Sequence, residues 1–175
     1  GYEMLRRERP DKRPWIVSRS GWAGMQRYSW NWTADIDSTW DNLRLTIAMV
    51  LNLGLSGVAF TGPDIGGFTG NPSPEMFTRW FQMAAFMPFF RNHAAKGTDR
   101  REPWVYEEPI PGILKHFLEL REALLPYIYT LSHEASVTGS PLNRPLSWYS
   151  NTEEALQTDN QFFTGESLLI APIYE

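Results

Sequence analysis

No cysteine occurs anywhere in the 175 residues. That excludes a disulfide framework and a thiolate zinc site. It fits a reducing compartment, the cytoplasm being favoured over an oxidising one. No apolar run approaches the roughly 20 residues of a membrane span. Positive charge is not in excess: 16 lysines and arginines face 20 aspartates and glutamates, a formal net charge of −4. Without a basic stripe there is nothing to meet a nucleic acid. No internal repeat or low-complexity segment stands out. No initiating methionine precedes Gly1, and the first ten residues carry no apolar signal segment. Further polypeptide upstream is therefore expected.

Aromatic residues, by contrast, are plentiful: 14% of the chain, with eight tryptophans, within a hydrophobic total of 42%. That total supports a core and argues against disorder. Aromatics mostly fill cores, but they also stack on the apolar faces of sugars.

Short apolar runs alternate with helical periods along the chain. Residues 2–9 read as a charged helix end and 11–14 as a turn. Residues 15–18 read as a buried strand, 20–26 as a loop and 28–32 as a second strand. Asp37 or Ser38 is placed to cap a helix carrying Trp40, Leu43, Ile47, Val50 and Leu51 at helical spacing, which Gly54 would end. A third strand is predicted at 57–61, followed by a Gly/Pro-rich loop to Pro74. Pro74 opens the next helix, with Phe77, Trp80, Phe81 and Ala84 on one face. Residues 87–90 form a fourth apolar run. The longest helical pattern spans 112–135, with Leu114, Phe117, Leu118, Leu120, Leu124 and Leu125 as its apolar stripe. Pro126 is expected to kink or split it. After Gly139-Ser140-Pro141 the texture becomes β-like, at 142–149 and 162–173.

This alternation predicts an α/β fold with parallel strands. The polar residues close the strand runs, and in (β/α)8 barrels that face carries the active site. Only about four strand–helix units are present, where a closed barrel needs eight. The expected organisation is the second half of a (β/α)8 barrel over 1–140 and the start of a C-terminal β domain over 141–175.

Aromatic walls, two carboxylates (Asp35 and Asp64), Arg19 and His93 at successive strand ends suit a sugar-binding rim. Each has a plainer alternative. From spacing alone Asp35 reads equally as a catalytic carboxylate or a helix cap. Asp64, between Pro63 and Gly66-Gly67, reads as turn chemistry, although the two glycines would let backbone come close to a ligand. Arg19 reads as a surface ion pair, and Trp32 and Phe68 as core. His116 and His133 read as satisfied structural histidines. Asp35-Ile36-Asp37 mimics a calcium loop, but Trp40 stands at its glycine position and Thr46 at its glutamate. Gly62 to Gly67 lacks dinucleotide spacing. Asn31-Trp32-Thr33 fits a glycosylation triplet inside a predicted buried strand. No metal and no cofactor is called for.

Five stretches resemble the family-31 glycoside hydrolases, the α-glucosidase group. They are Arg13 to Gly24 (RPWIVSRSGWAG), Gln26 to Asp35 (QRYSWNWTAD), Gly54 to Phe68 (GLSGVAFTGPDIGGF), Arg79 to His93 (RWFQMAAFMPFFRNH) and Gln161 to Ile173. They keep their order and spacing over nearly the whole chain. The resemblance implies that Asp35 is the acid/base; apolar Trp30, Trp32 and Ile36 lie near it in the sequence. It implies that Arg19, Asp64 and His93 bind sugar hydroxyls and that Trp32 and Phe68 wall the subsite of the non-reducing sugar. The implied activity is that of a retaining, exo-acting α-glucosidase acting on an oligosaccharide or glucoside. The family's Trp-Ile-Asp-Met-Asn-Glu segment, which carries the nucleophile, has no counterpart here, so this chain alone is expected to be inactive. Ala34 and Ile36 also replace the family's usual Gly and Asn beside Asp35. An α-xylosidase, a non-catalytic sugar-binding barrel and a structural α/β domain are the competing expectations.

Overall fold

The structure, a computed structural model, describes residues 1–174. Four extended segments run side by side in chain order. Trp30 N–H donates to Ile16 O at 2.8 Å, and Ser18 N–H to Trp30 O at 2.9 Å. Asn31 N–H then reaches Phe60 O at 3.0 Å and Thr33 N–H reaches Gly62 O at 3.1 Å. Phe89 N–H donates to Thr61 O at 3.3 Å and Ile65 N–H to Arg91 O at 2.9 Å. The bridges Val17–Trp30 and Asp64–Arg91 are both parallel. The four predicted strands are therefore present as neighbouring extended segments joined by single bridges, not as regular strands. Each pair of neighbouring segments exchanges only two backbone bonds, too few for a regular ladder. A Cβ on Gly62 would collide with the carbonyl of Phe89, so glycine alone fits where the third and fourth segments touch.

Helices cover these segments. Helix α1 is Tyr2–Glu8, α2 is Trp40–Leu55, α3 is Pro74–Ala84, α4 is Ile110–Thr138 and α5 is Glu153–Gln157. Helix α2 buries Leu43, Ile47, Val50 and Leu51, as its periodicity predicts. Its cap is Thr39, whose hydroxyl accepts from Asn42 N–H at 3.2 Å. Asp37 and Ser38, the predicted caps, are diverted to a distant loop: Ser38 Oγ donates to Gly66 O at 2.6 Å and Thr69 O at 2.7 Å, and Thr69 Oγ1 donates to Asp37. Gly54 does not end the helix. It lies buried within it, where a Cβ would press on Pro141, and the left-handed turn falls to Gly57, φ +88°. Helix α3 begins as read, with Ser73 as cap and Pro74 in the first turn. Phe77 and Trp80 are wholly buried on it, each stabilising by roughly 1.5–3 kcal/mol.

Pro126 does not split α4, which runs unbroken for 29 residues. Its buried face is Leu114, Ile128, Leu131 and Ala135, while Leu118 and Leu125 of the predicted stripe are exposed. His116 and His133 sit on its exposed surface, not in the satisfied interior positions expected of them. Two hydrophobic clusters result. The larger joins α2, α3, Ile65, Met87, Leu114 and Phe162; the smaller joins Ala59, Ile128, Leu131, Ala135 and Leu142. Beyond α4, the strands β1 (Asn143–Arg144), β2 (Phe162–Thr164) and β3 (Leu168–Ile170) form an antiparallel sheet in the order β1-β2-β3. The β texture read at 142–149 is short: a 3-10 turn at Leu146–Trp148 takes over after β1. Among the described residues no helix is long and apolar enough to cross a membrane.

Candidate active site

The polar residues singled out in the sequence gather where the extended segments end. Arg19 closes the first segment. Its backbone is fixed by Asn31, whose buried amide donates to Ser18 O at 2.8 Å and Arg19 O at 3.0 Å. The Arg19 guanidinium lies 3.2 Å from the carboxylate of Asp35, which closes the second segment. Asp35 caps no helix, since Thr39 does that. Its side chain is 32% exposed and paired with Arg19, while Trp30 stacks on Phe60, ring centroids 4.9 Å apart. The turn into Asp35 holds Ala34 at φ +68°, a left-handed conformation that a side-chain-bearing residue rarely adopts.

Asp64 closes the third segment and is wholly buried. Arg91, from the fourth, donates through Nε to Asp64 Oδ1 at 2.7 Å and brings Nη2 within 2.5 Å of the same oxygen. The other oxygen, Oδ2, is buried with no hydrogen-bond partner among the described residues. Burial raises the Asp64 pKa; the hydrogen bond and charge of Arg91, and the nearby His93, oppose the rise, while Asp35 adds to it. Asp35 and His93 are therefore within electrostatic reach of Asp64. The Arg91 guanidinium also lies over the Trp32 ring, 4.9 Å from its centroid. Phe68 and His93 stack with centroids 5.5 Å apart. The six predicted residues thus form three linked pairs: Arg19 with Asp35, Trp32 with Asp64 through Arg91, and Phe68 with His93.

Three contributors were not singled out in the sequence: Asn31, Arg91 and Arg101. Arg101 is 5% exposed and donates to Gly67 O at 2.7 Å and Gly70 O at 2.8 Å, clamping the loop that follows Asp64. Gly66 and Gly67, both at φ near +84°, are required by the packing: Cβ atoms there would meet Phe77 and the Ser38 backbone.

A cavity of about 1360 Å³ lies elsewhere, between the segments and α4, walled by Trp15, Trp30, Phe60, Leu125 and Tyr129. None of the six residues lines it, and neither does any carboxylate among the described residues. Glycosidic chemistry needs carboxylates, so the segment ends, and not the cavity, are the candidate site. Among the described residues no cluster of three or more His, Cys, Asp or Glu is placed to hold a metal.

Known proteins match this arrangement. The family described as the glycosyl hydrolases family 31 TIM-barrel domain matches residues 1–131. A probable glucan 1,3-alpha-glucosidase of Oryza sativa subsp. japonica is 47% identical over 174 residues, covering 98% of this chain and 19% of that protein. A solved Glc1Man2-bound glucosidase II alpha subunit superposes with TM-score 0.95 at 39% identity, over 99% of this chain and 19% of its own. A family-31 alpha-xylosidase from a soil metagenome, complexed with xylose, superposes with TM-score 0.90 at 34% identity, over 99% of this chain and 29% of its own. The chain thus spans about a fifth of the length of the alpha-glucosidase relatives it matches. With parallel extended segments capped by helices and the barrel domain matched over residues 1–131, the chain belongs to glycosyl hydrolase family 31 and is part of its TIM-barrel domain.

Proposed function

We propose that residues 1–140 are the C-terminal half of the catalytic barrel, and 141–175 the opening of the β domain that follows it, in a retaining, exo-acting α-glucosidase. The observation that carries this reading is Asp64: a wholly buried carboxylate with one oxygen held by Arg91 and the other unpartnered. A buried acceptor without a partner is costly unless something donates to it, and a sugar hydroxyl supplies that donor.

In this reading Asp35 protonates the leaving glycosidic oxygen while a carboxylate from outside these 175 residues attacks the anomeric carbon. Asp35, now ionised, then takes a proton from the water that releases glucose. Arg19, 3.2 Å away, stabilises that ionised form and also reaches a sugar hydroxyl. His93 donates to a second hydroxyl. Trp32 and Phe68 wall the sugar. The 175 residues alone lack the nucleophile and give no turnover.

The test is hydrolysis of α-linked glucose disaccharides by the full-length protein. Asp35→Asn is expected to cost about 10²–10⁴-fold in rate; an undiminished rate removes Asp35 from the mechanism. The α-xylosidase likeness motivates a second reading, the α-xyloside as substrate. A panel of aryl α-glycosides separates the two, with glucosides expected to be cleaved faster. A sugar-binding barrel without catalysis would bind glucose and cleave nothing.

A further inference from the structure

Arg91 is bound at both ends. Its carbonyl accepts from Ile65 N–H at 2.9 Å, which fixes the backbone beside Asp64. Its guanidinium is held between two rings, 4.9 Å from the Trp32 centroid and 5.1 Å from that of Phe89. Stacked in this way, the planar group has little freedom to rotate. Two of its nitrogens converge on one oxygen of Asp64, Oδ1. Oδ2 keeps its acceptor capacity. A fork laid across both oxygens would have left Asp64 with much less to offer a ligand. The arrangement links Trp32 to the Asp64 carboxylate.

Resting on the function proposed above, we propose that Arg91 is a positioning residue: it fixes Asp64 through Oδ1, so that the buried Oδ2, unpartnered among the described residues, is left to accept from a substrate hydroxyl, and it sets Trp32 against the same sugar. It does not itself touch substrate. Its charge also opposes the burial that favours the protonated carboxyl of Asp64.

The experiment uses the full-length protein with Arg91→Met, Arg91→Lys, Asp64→Asn and the Arg91→Met/Asp64→Asn double variant. Melting and circular dichroism check that each is folded, and kcat/KM is followed against pH. Removing the cation favours protonated Asp64, so the acid limb of the Arg91→Met profile moves to higher pH. Its kcat/KM at neutral pH falls about 100-fold, the scale of a small misplacement in an active site. Arg91→Lys restores the charge and returns the limb toward its original position, while kcat/KM stays below wild type because the fork is lost. In the Asp64→Asn background Arg91→Met costs little more, because its effect runs through Asp64.

If Arg91→Met does not fold, Arg91→Lys carries the test alone: a reduced kcat/KM with an unmoved limb supports the proposal, and a kcat/KM equal to wild type overturns it. An unmoved limb in folded Arg91→Met, or losses that multiply independently in the double variant, also overturns it while leaving the glycosidase reading intact. A wild-type protein that neither binds nor cleaves glucosides or xylosides sinks that reading, and this one with it.

Discussion

The guanidinium of Arg101 is hydrogen-bonded to the carbonyl of Gly67 at 2.7 Å, across 34 residues of sequence. The same side chain reaches Gly70 O at 2.8 Å. It is buried, and burial lowers its pKa from the free arginine value. The loop carrying Asp64 and Phe68 is therefore tied from one side by Arg101 and from the other by Ser38.

Arg101→Met is expected to destabilise the protein by about 2–4 kcal/mol, because buried carbonyls lose a charged donor. A thermal melt of the full-length protein checks this. Arg101→Lys recovers only part of the loss, since one ammonium does not reproduce the fork. A melt unchanged in both variants would show that the loop holds without the clamp.

Ala34, at φ +68°, carries a strain of about 1–2 kcal/mol for any side-chain-bearing residue. Ala34→Gly removes it, less the extra freedom glycine has when unfolded. A net gain of about 0.5–1 kcal/mol is expected, seen as a higher Tm with activity kept. Ala34→Val should lower Tm, because a branched side chain suits this conformation less.

Arg19 separates function from stability. Its ion pair with Asp35 has side chains 64% and 32% exposed, and such pairs contribute only about 0–1 kcal/mol. Arg19→Ala should leave Tm within a degree or two. If the proposed role holds, kcat/KM falls by at least about 10-fold, as expected for the loss of a charged contact that matters in the transition state. A melt that drops in step with activity would make Arg19 a structural residue.

Tyr106 stacks on Phe77 with centroids 5.1 Å apart, and burial pushes its pKa from 10.0 to about 12. A phenol whose folded pKa lies above the unfolded one gives stability that is complete below pH 10 and is lost as pH rises through about 12. Ultraviolet titration of the folded protein should show one of the chain's seven tyrosines ionising late, and Tyr106→Phe should remove that late component. An unchanged late phase in Tyr106→Phe would assign it to another phenol.

Much of the architecture was legible in the sequence because local and tertiary preferences agree. The 3.6-residue spacing in α2 and Pro74 in the first turn of α3 say the same thing as the packing. The helix cap was misread because Asp37 and Ser38 are good local caps that a loop some 30 residues away takes over. At the site, Arg19, Trp32, Asp35, Asp64, Phe68 and His93 were visible as polar or aromatic ends of apolar runs. Arg91 also ends such a run, but its role as the partner of Asp64 was not legible, and neither were the roles of Asn31 and Arg101. Asn31 and Arg101 bind main-chain carbonyls and Arg91 binds one carboxylate, 12, 34 and 27 residues distant in turn. No periodicity announces such pairings. Gly66 and Gly67 were legible as a turn, but the neighbours that demand glycine there, Phe77 and the Ser38 backbone, were not.

Helix α4, at 1.5 Å per residue, is a rod roughly 43 Å long, and it is the only helix among the described residues that contributes to both hydrophobic clusters. Near its middle Arg121 grips the carbonyls of Ala85, Met87 and Pro88, just upstream of Arg91 and His93. The rod is therefore fastened to the backbone that leads into the candidate site. Through Ala135 at one end and Leu114 at the other, one continuous helix thus ties both cores to the main chain that leads into Arg91 and His93.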